Sequence, residues 1–345
     1  MGDENKSCLL VEDINSSYNP PVLILTFIFG FFGNAIALWV FSLHVKAWRS
    51  STVYGLNLAI ADTLLICALP FRVDYYIRGK DWIFGDVACR LKIFTIFMNR
   101  AVSVAFLAVM ALERYFKVIH PHHKVSKMTT SGAVKVSCIL WLVTLAMCLH
   151  VLTEPRTFQH MNVTNCEPFR PFKPLSSTAI LTNMVFIIFN FLLPASIILF
   201  STCCIAWKLK QMKSELRAKY KRATRLVVVV ATVFIICFLP SNVAVIAVLI
   251  SNRVSNCKTF DVTVQIFDNT LFITYLNSVL DPVVYYFSSS TFKESLKKAL
   301  ISHNIRLFRS TIRSAPPKPE TQVEPQRSSV LNTWDHLRTE SSDNL

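Results

Sequence analysis

Seven glycines serve a chain of 345 residues. That is too few to build the glycine-rich loops that cradle phosphates. No His-Glu-x-x-His run and no Gly-x-Ser-x-Gly elbow occurs, so neither a zinc hydrolase nor a serine hydrolase is written in the chain. An enzyme is therefore not expected. No internal repeat is visible, which argues against a transporter built from inverted halves. A transporter or channel that relays charge through buried ionisable groups is the remote alternative. The stretch Met1 to Asn19 lacks an apolar core and is polar and acidic, so no cleavable signal peptide is expected; the first span would act as its own insertion signal. No cysteine follows Cys257, so no palmitoyl anchor is expected after the last span.

Long hydrophobic runs are what the chain does have. Hydrophobic residues make up 52% of it, and its mean hydropathy is +0.43. Seven runs approach or exceed the ~20 residues needed to cross a bilayer: 21–43, 53–77, 90–116, 132–152, 178–206, 223–251 and 262–287. The expected fold is an all-α membrane protein, a seven-transmembrane helix bundle over 21–288. Beyond it, 290–302 reads as a short amphipathic helix on the cytoplasmic face. There Phe292, Leu296 and Leu300 recur at i, i+4, i+8 beside Lys293, Lys297 and Lys298. The polar segment 1–20 precedes the bundle, and 303–345 is a Pro-, Ser- and Thr-rich tail expected to be disordered. Ser328, Ser329, Ser341 and Ser342 in that tail are candidates for phosphorylation or simply for solubility.

A net charge of +15 invites a nucleic-acid partner, but its distribution answers otherwise. Lys208, Lys210, Lys213, Arg217, Lys219, Lys221, Arg222 and Arg225 cluster between spans five and six. Lys46 and Arg49 follow span one, and Lys117, Lys124 and Lys127 follow span three. All fall on one side, which the positive-inside rule makes cytoplasmic. No nucleic acid is expected, and the N-terminus is placed outside. The sequons at Asn5, Asn15 and Asn162 fall on that outer side and are candidate glycosylation sites. Four of the ten cysteines lie outside as well: Cys8, Cys89, Cys166 and Cys257. They suggest two disulfides, with three pairings open. The other six lie in apolar spans as packing residues.

Arg100 lies in the middle of the apolar run from Leu91 to Leu112, with no acidic residue within a helical turn. An ionisable group at bilayer depth is costly and faces a cavity or a partner. Counting from Cys89 at 1.5 Å per residue, Arg100 lies ~16 Å deep and the Glu113-Arg114 pair ~36–38 Å deep, at the cytoplasmic edge. An anionic ligand is the leading candidate for its counter-charge; a distant carboxylate such as Asp62 is the structural alternative. Asp62, Asn99, Ser103, Asn277 and Asp281 are further polar residues inside spans. Their oxygens suit a small hard cation such as sodium, or else form a hydrogen-bond network that joins helices. Pro70, Pro194, Pro240 and Pro282 interrupt the spans, either as static kinks or as hinges.

At this point the chain resembles a class A, rhodopsin-like, G-protein-coupled receptor. The matching residues run in order: Gly33-Asn34, Leu58-Ala59-Ile60-Ala61-Asp62, Cys89, Glu113-Arg114-Tyr115, Trp141, Pro194, Cys237-Phe238-Leu239-Pro240 and Asn277-Ser278-Val279-Leu280-Asp281-Pro282-Val283-Val284-Tyr285. The resemblance implies that the prolines are hinges and that the Asp62 cluster is an allosteric sodium site, with no other cofactor. It implies that Glu113, Arg114, Tyr115, Phe238, Pro240, Asp281, Pro282 and Tyr285 serve activation and G-protein coupling. The family's usual aromatic switch in span six is Trp; here it is Phe238. The resemblance also pairs Cys89 with Cys166, leaving Cys8 for Cys257. Receptor kinases and arrestin would act at the tail.

Light receptors need a lysine in span seven, and 262–287 has none; amine receptors carry an aspartate in outer span three, where Ile96 stands. Closer motifs resemble the hydroxycarboxylic acid and oxoeicosanoid receptor group: Met98-Asn99-Arg100, the run Arg114 to His123, Tyr285-Tyr286-Phe287-Ser288-Ser289, and Asp81-Trp82-Ile83-Phe84-Gly85. The run Pro70 to Tyr76 resembles the lactate receptor's second span. The resemblance implies a ligand carboxylate anchored by Arg100, whose fork suits a carboxylate. Tyr275, Arg72, Ile96 and Phe169 would line the pocket. Arg72 has alternatives: it snorkels to water, or pairs with Asp74 or an outer-loop acid. The short-acid receptors carry a second arginine where Val245 stands, and the niacin receptor a serine where Pro168 stands. Both changes make the pocket more apolar and favour an oxo- or hydroxy-fatty acid of the 5-oxo-eicosatetraenoate type. Lactate, 3-hydroxybutyrate or niacin-like acids are the alternative. The group's coupling implies an inhibitory G protein that lowers cAMP, signalling from the plasma membrane.

Overall fold

With no water in hydrocarbon to satisfy backbone groups, an apolar run of span length folds as a helix. The computed structural model follows that logic; it describes residues 19–160, 163–169, 177–254, 257–299 and 301. In chain order the helices are α1 (Asn19–Leu43), α2 (Ser50–Ile77), α3 (Gly85–Ile119), α4 (Thr130–Cys148) and the single turn α5 (His150–Thr153). A hairpin follows, β1 (Thr157–His160) paired antiparallel with β2 (Val163–Cys166). Then come α6 (Ser177–Ile187), α7 (Leu193–Gln211), α8 (Ser214–Val254) and α9 (Cys257–Ser288). Residues 290–299 form a last helix, α10. A π-helical turn, Ile188–Leu192, joins α6 to α7, so the fifth span is continuous. All of this belongs to one unit that ends at Ala299.

Among the described residues, six helices are long and apolar enough to cross a membrane. The seventh, α9, has 32 residues but carries Asp261, Asp268 and Asp281, all buried. α3 is the central strut: 72% of its most apolar window is buried, against 22% for α4. Polar side chains that must avoid lipid therefore concentrate on α3 and the helices that touch it.

Three boundaries differ from the sequence expectation. The basic segment between spans five and six reads as a loop, yet α8 starts at Ser214 and runs 41 residues, about 60 Å at the helical rise. Hydropathy sees only the lipid-length part, whereas Glu, Leu, Arg, Ala and Lys continue a helix in water. The outer loop after α4 contains the hairpin, whose strands are only four residues each. And α9 begins five residues before the apolar run.

Each proline has a local answer. Pro282 leaves the carbonyl of Ser278 without its helical donor; Asn34 Nδ2 of α1 donates to it at 2.8 Å. Gly33 makes room for this approach, since a Cβ there would stand 3.0 Å from Pro282 Cγ. Pro240 disturbs the ladder of α8, and side chains back up its carbonyls: Asn242 Nδ2 donates to Phe238 O at 2.7 Å, and Thr274 Oγ1 of α9 to Cys237 O at 2.9 Å. Pro194 follows directly on the π turn.

The Cys89–Cys166 disulfide ties α3 to β2. Hydrogen bonds reinforce the tie: Trp82 N donates to Thr164 O at 2.7 Å, and Asp81 Oδ1 accepts from Thr164 N at 3.0 Å. Asp86 Oδ1 accepts from the backbone nitrogens of Arg156 and Thr157 at 2.8 and 3.0 Å. The hairpin is thus pinned across one end of the bundle, the outer end by the positive-inside expectation. Asn5, Cys8, Asn15, Asn162 and the tail from 302 lie outside the described residues, and so does any Cys8–Cys257 bond.

Candidate functional site

Among the described residues, the two largest apolar clusters meet on α3. Ile93 and Ile96 belong to the outer one, with Val245, Val248, Phe267, Leu271, Phe272 and Tyr275; Phe169 packs on its margin. Ala101, Val102 and Val104 belong to the inner one, with Phe234, Phe238 and Tyr285. Arg100 lies between them and is 3% exposed. It makes no hydrogen bond, ion pair or ring contact with any described residue. Unlike Arg72 Nε, none of its nitrogens is both sealed and unpaired, so the guanidinium opens onto space within the bundle.

Asp62 does not answer Arg100. Its Oδ1 accepts from Asn99 Nδ2 at 3.1 Å and from Ser278 Oγ at 2.8 Å. Its Oδ2 accepts from the Tyr285 hydroxyl at 2.7 Å. Asp281 Oδ2 accepts from Asn277 Nδ2 at 2.8 Å. Around these bonds, Ser103 Oγ, Asn277 Oδ1 and Asp281 Oδ1 are sealed and make no hydrogen bond. All three are oxygens, the donor type a hard cation takes. The five residues singled out in the sequence therefore share one polar core, and Ser278, Tyr285 and Asn34 complete it. Among the described residues no three His, Cys, Asp or Glu side chains gather as a metal centre.

Arg72 is neither snorkelling nor paired with Asp74. It is 1% exposed, while Asp74 pairs with Arg78 at 2.7 Å. Its guanidinium lies 5.5, 5.6 and 5.5 Å from the ring centres of Tyr76, Phe272 and Tyr275, and its Nη2 donates to the Tyr76 hydroxyl at 3.3 Å. The acids within its electrostatic reach are Glu167 and Asp268. The outer-loop acid was among the alternatives; the aspartate on α9 was not. Lys92 completes this group, packed on Tyr75 and Trp82 at 4.9 and 4.6 Å and donating to Cys166 O at 3.0 Å.

Lys92, Glu167 and Asp268 went unnoticed in the sequence. Lys92 sits at the mouth of the run that contains Arg100 and reads as a water-facing end residue. Its helical spacing with Ile96 and Arg100, i, i+4, i+8, was the available signal. Asp268 lies within the seventh apolar run, and the rule that singles out Arg100 applies equally to it. Glu167 follows Cys166, so the disulfide delivers it to the bundle.

At the opposite end, Glu113 accepts from Ser50 Oγ and forms an ion pair with Lys117. The pair expected within Glu113-Arg114 is replaced by this one, because i, i+4 partners share a helix face and i, i+1 neighbours do not. Arg114 Nη2 instead donates to Ser288 O, near the end of α9, at 3.0 Å. The Tyr115 hydroxyl lies 3.3 Å from His120 Nε2. Phe238 is fully buried with its ring centre 5.8 Å from that of Phe234.

Comparison with known proteins accounts for this arrangement. Residues 33–285 match the seven-transmembrane receptors of the rhodopsin family, and the chain belongs to that family. It is 43% identical over 293 residues to human hydroxycarboxylic acid receptor 3, covering 84% of this chain and 74% of that one. It is 41% identical over 330 residues to mouse hydroxycarboxylic acid receptor 1, covering 95% and 91%. Human oxoeicosanoid receptor 1 is 37% identical over 313 residues, covering 90% and 78%. The chain is thus a multi-pass membrane receptor of the hydroxycarboxylic acid and oxoeicosanoid group, working with a small-molecule ligand and a G protein, and not an enzyme.

Proposed function

We propose that this receptor responds to a carboxylate ligand anchored by Arg100 and couples to an inhibitory G protein that lowers cAMP. One observation carries the reading: Arg100 is a buried guanidinium with no partner among the described residues. Such a charge is tolerated where a counter-ion can be supplied, and a carboxylate fits its fork bidentately. Ile96, Val245, Tyr275 and Phe169 supply apolar surface above it, which suits the chain of an oxo- or hydroxy-fatty acid. Arg72 packs on the Tyr275 ring at 5.5 Å. A second reading is a short hydroxycarboxylic acid, and the higher identity to the hydroxycarboxylic acid receptors, 43% against 37%, favours it.

In this proposal the receptor sits in the plasma membrane with its N-terminus outside. Asp62, Asn99, Ser103, Asn277 and Asp281 take an allosteric sodium ion, for which the three unpaired oxygens are suited. Arg114 engages the G protein once its bond to Ser288 O opens, and Phe238 and the Pro240 and Pro282 kinks carry the motion between. Receptor kinases and arrestin act at the tail. The experiment records cAMP inhibition by lactate, 3-hydroxybutyrate and 5-oxo-eicosatetraenoate in cells expressing wild type, Arg100→Ala or Arg72→Ala, normalised to surface receptor. Arg100→Ala should weaken every acid response by about thirtyfold or more; undiminished potency sinks the anchor. Arg72→Ala should hurt the short acids more than the lipid.

A further inference from the structure

Asn190 is presented by the π turn of the fifth span, where Leu193 N bonds Ile188 O. Such wide turns recur at functional sites. Here Asn190 and Phe191 are buried, while Ile188, Phe189 and Leu192 are exposed. Asn190 Nδ2 donates to Phe186 O at 3.1 Å. A carbonyl only accepts, so the amide nitrogen must face it and Oδ1 is turned away. Asn34 and Asn57 make the same bond to the carbonyl four residues back, at 3.0 and 2.8 Å. Each then turns its Oδ1 to another helix. Asn57 Oδ1 accepts from Trp141 Nε1 at 2.9 Å, and Asn34 Oδ1 faces the Tyr285 hydroxyl at 3.2 Å. Asn190 Oδ1 accepts from no described residue, yet it is not sealed. Capping explains one end of this side chain and leaves an acceptor waiting at the other.

That oxygen waits at the depth of Arg100. The ring centres of Phe97 and Phe186 lie 5.5 Å apart, which sets α3 and the fifth span level there, and the two spans run the same way. Arg100 lies three residues further along its span, ~4.5 Å, and Asn190 four along its own, ~6 Å. Each is bracketed by an outer-cluster and an inner-cluster residue: Ile96 and Ala101 around Arg100, Ile187 and Phe191 around Asn190. Resting on the acid-receptor reading, we propose that Asn190 is a specificity-determining residue that accepts the hydrogen bond of a hydroxyl carried near the ligand's carboxylate. Arg100 holds the carboxylate and Asn190 reads the neighbouring group, so the ligand is a hydroxy acid. An oxo group in the same place has lone pairs and no proton. It would set acceptor against acceptor in a buried site and leave both unpaired. A site built to bond a hydroxyl rejects the analogue that lacks it.

The test uses purified full-length receptor and three probes of one chain length, 3-hydroxydecanoate, 3-oxodecanoate and decanoate, read as the concentration that half-saturates the rise in melting temperature. Wild type should prefer the hydroxy acid over the oxo acid by about tenfold or more, and over decanoate by about two- to tenfold. Asn190→Leu should bring the three within about twofold of one another. An asparagine that only caps would shift all three alike and leave their ratios untouched. Asn190→Thr keeps a donor for Phe186 O, as Thr202 does for Ile198 O at 2.6 Å, and withdraws the acceptor; it should lose the preference too, and it decides where Asn190→Leu fails to fold. Asn242, which makes the same back-bond to Phe238 O on α8, is the matched control, and Asn242→Leu should keep the wild-type order. A wild type that does not discriminate overturns the proposal. So does the wild-type ratio surviving in the Asn190 variant that folds, or collapsing in Asn242→Leu instead. Arg100→Ala separates the two ideas. If it keeps the response to 3-hydroxydecanoate, or if wild type answers none of the probes at millimolar concentration, the acid-receptor reading falls and takes the role of Asn190 with it. If it loses the responses while wild type fails to discriminate, only the role of Asn190 falls.

Discussion

Arg72 and Arg100 are both guanidiniums held inside the bundle, and they differ in company. Arg72 is wrapped by three aromatic rings and lies within reach of two acids. Arg100, between two apolar clusters, has no such partner among the described residues. A charge answered by its own protein stabilises the fold. A charge left unanswered is a standing cost that a ligand can relieve. The same residue type thus serves structure at one level and recognition at another, and substitutions should separate the two.

The largest effect is expected at Arg72. Arg72→Ala removes a buried cation from beside Glu167, and removing one partner of a buried pair costs about 3–5 kcal/mol. The melting temperature of the unliganded receptor should fall by several degrees, with surface expression falling alongside. A variant as stable as wild type would show that the acids do not depend on Arg72. Arg100→Ala should do the reverse. Deleting a buried charge without a partner should leave the melting temperature unchanged or raise it. Agonist potency should drop by the ~2–5 kcal/mol that truncating a buried charge partner costs, at least about thirtyfold. Loss of stability without loss of potency would exchange the two roles.

This contrast was half legible in the sequence. The seven runs, the depth of Arg100 and the Asp62 cluster follow from hydropathy and the cost of charge in oil, both local properties. The partners of Arg72 were not legible, because Glu167 arrives through a disulfide 77 residues long in sequence separation and Asp268 arrives from α9. Pairings of that kind depend on how helices are arranged, which no window of residues contains. The Glu113–Lys117 pair, by contrast, was within reach of simple helical spacing. The hairpin was hidden by its brevity, since four-residue strands leave little alternation to read.

A smaller effect is expected in the polar core, which lies below both arginines. Asn34→Ala removes the donor to Ser278 O and a second, longer contact to the Tyr285 hydroxyl, 3.2 Å away, whose shorter bond goes to Asp62 Oδ2. The carbonyl freed by Pro282 would then be buried without a partner, a cost of about 1–3 kcal/mol. A fall in melting temperature smaller than that of Arg72→Ala is the expected result; no fall would mean that water or a neighbour caps Ser278 instead. Asp62→Asn should abolish any rise in melting temperature with sodium over potassium, and a persisting rise would place the ion elsewhere.

The finest test falls on Tyr275, whose ring packs on Arg72 in the same apolar cluster as Ile96, one turn above Arg100. Its ring supports Arg72, yet its hydroxyl is sealed and makes no hydrogen bond. Tyr275→Phe keeps the ring and deletes only that unsatisfied group. Stability should therefore hold or rise slightly, since an unpaired buried hydroxyl is a cost in the unliganded protein. If the hydroxyl turns to the ligand carboxylate once it is bound to Arg100, potency should fall by the ~0.5–1.5 kcal/mol of one net hydrogen bond, about two- to tenfold. Unchanged potency would confine Tyr275 to its support of Arg72. A fall in stability would mean that the hydroxyl already has a partner that the fold needs, and the boundary between the structural arginine and the recognising one would have to be drawn below Tyr275.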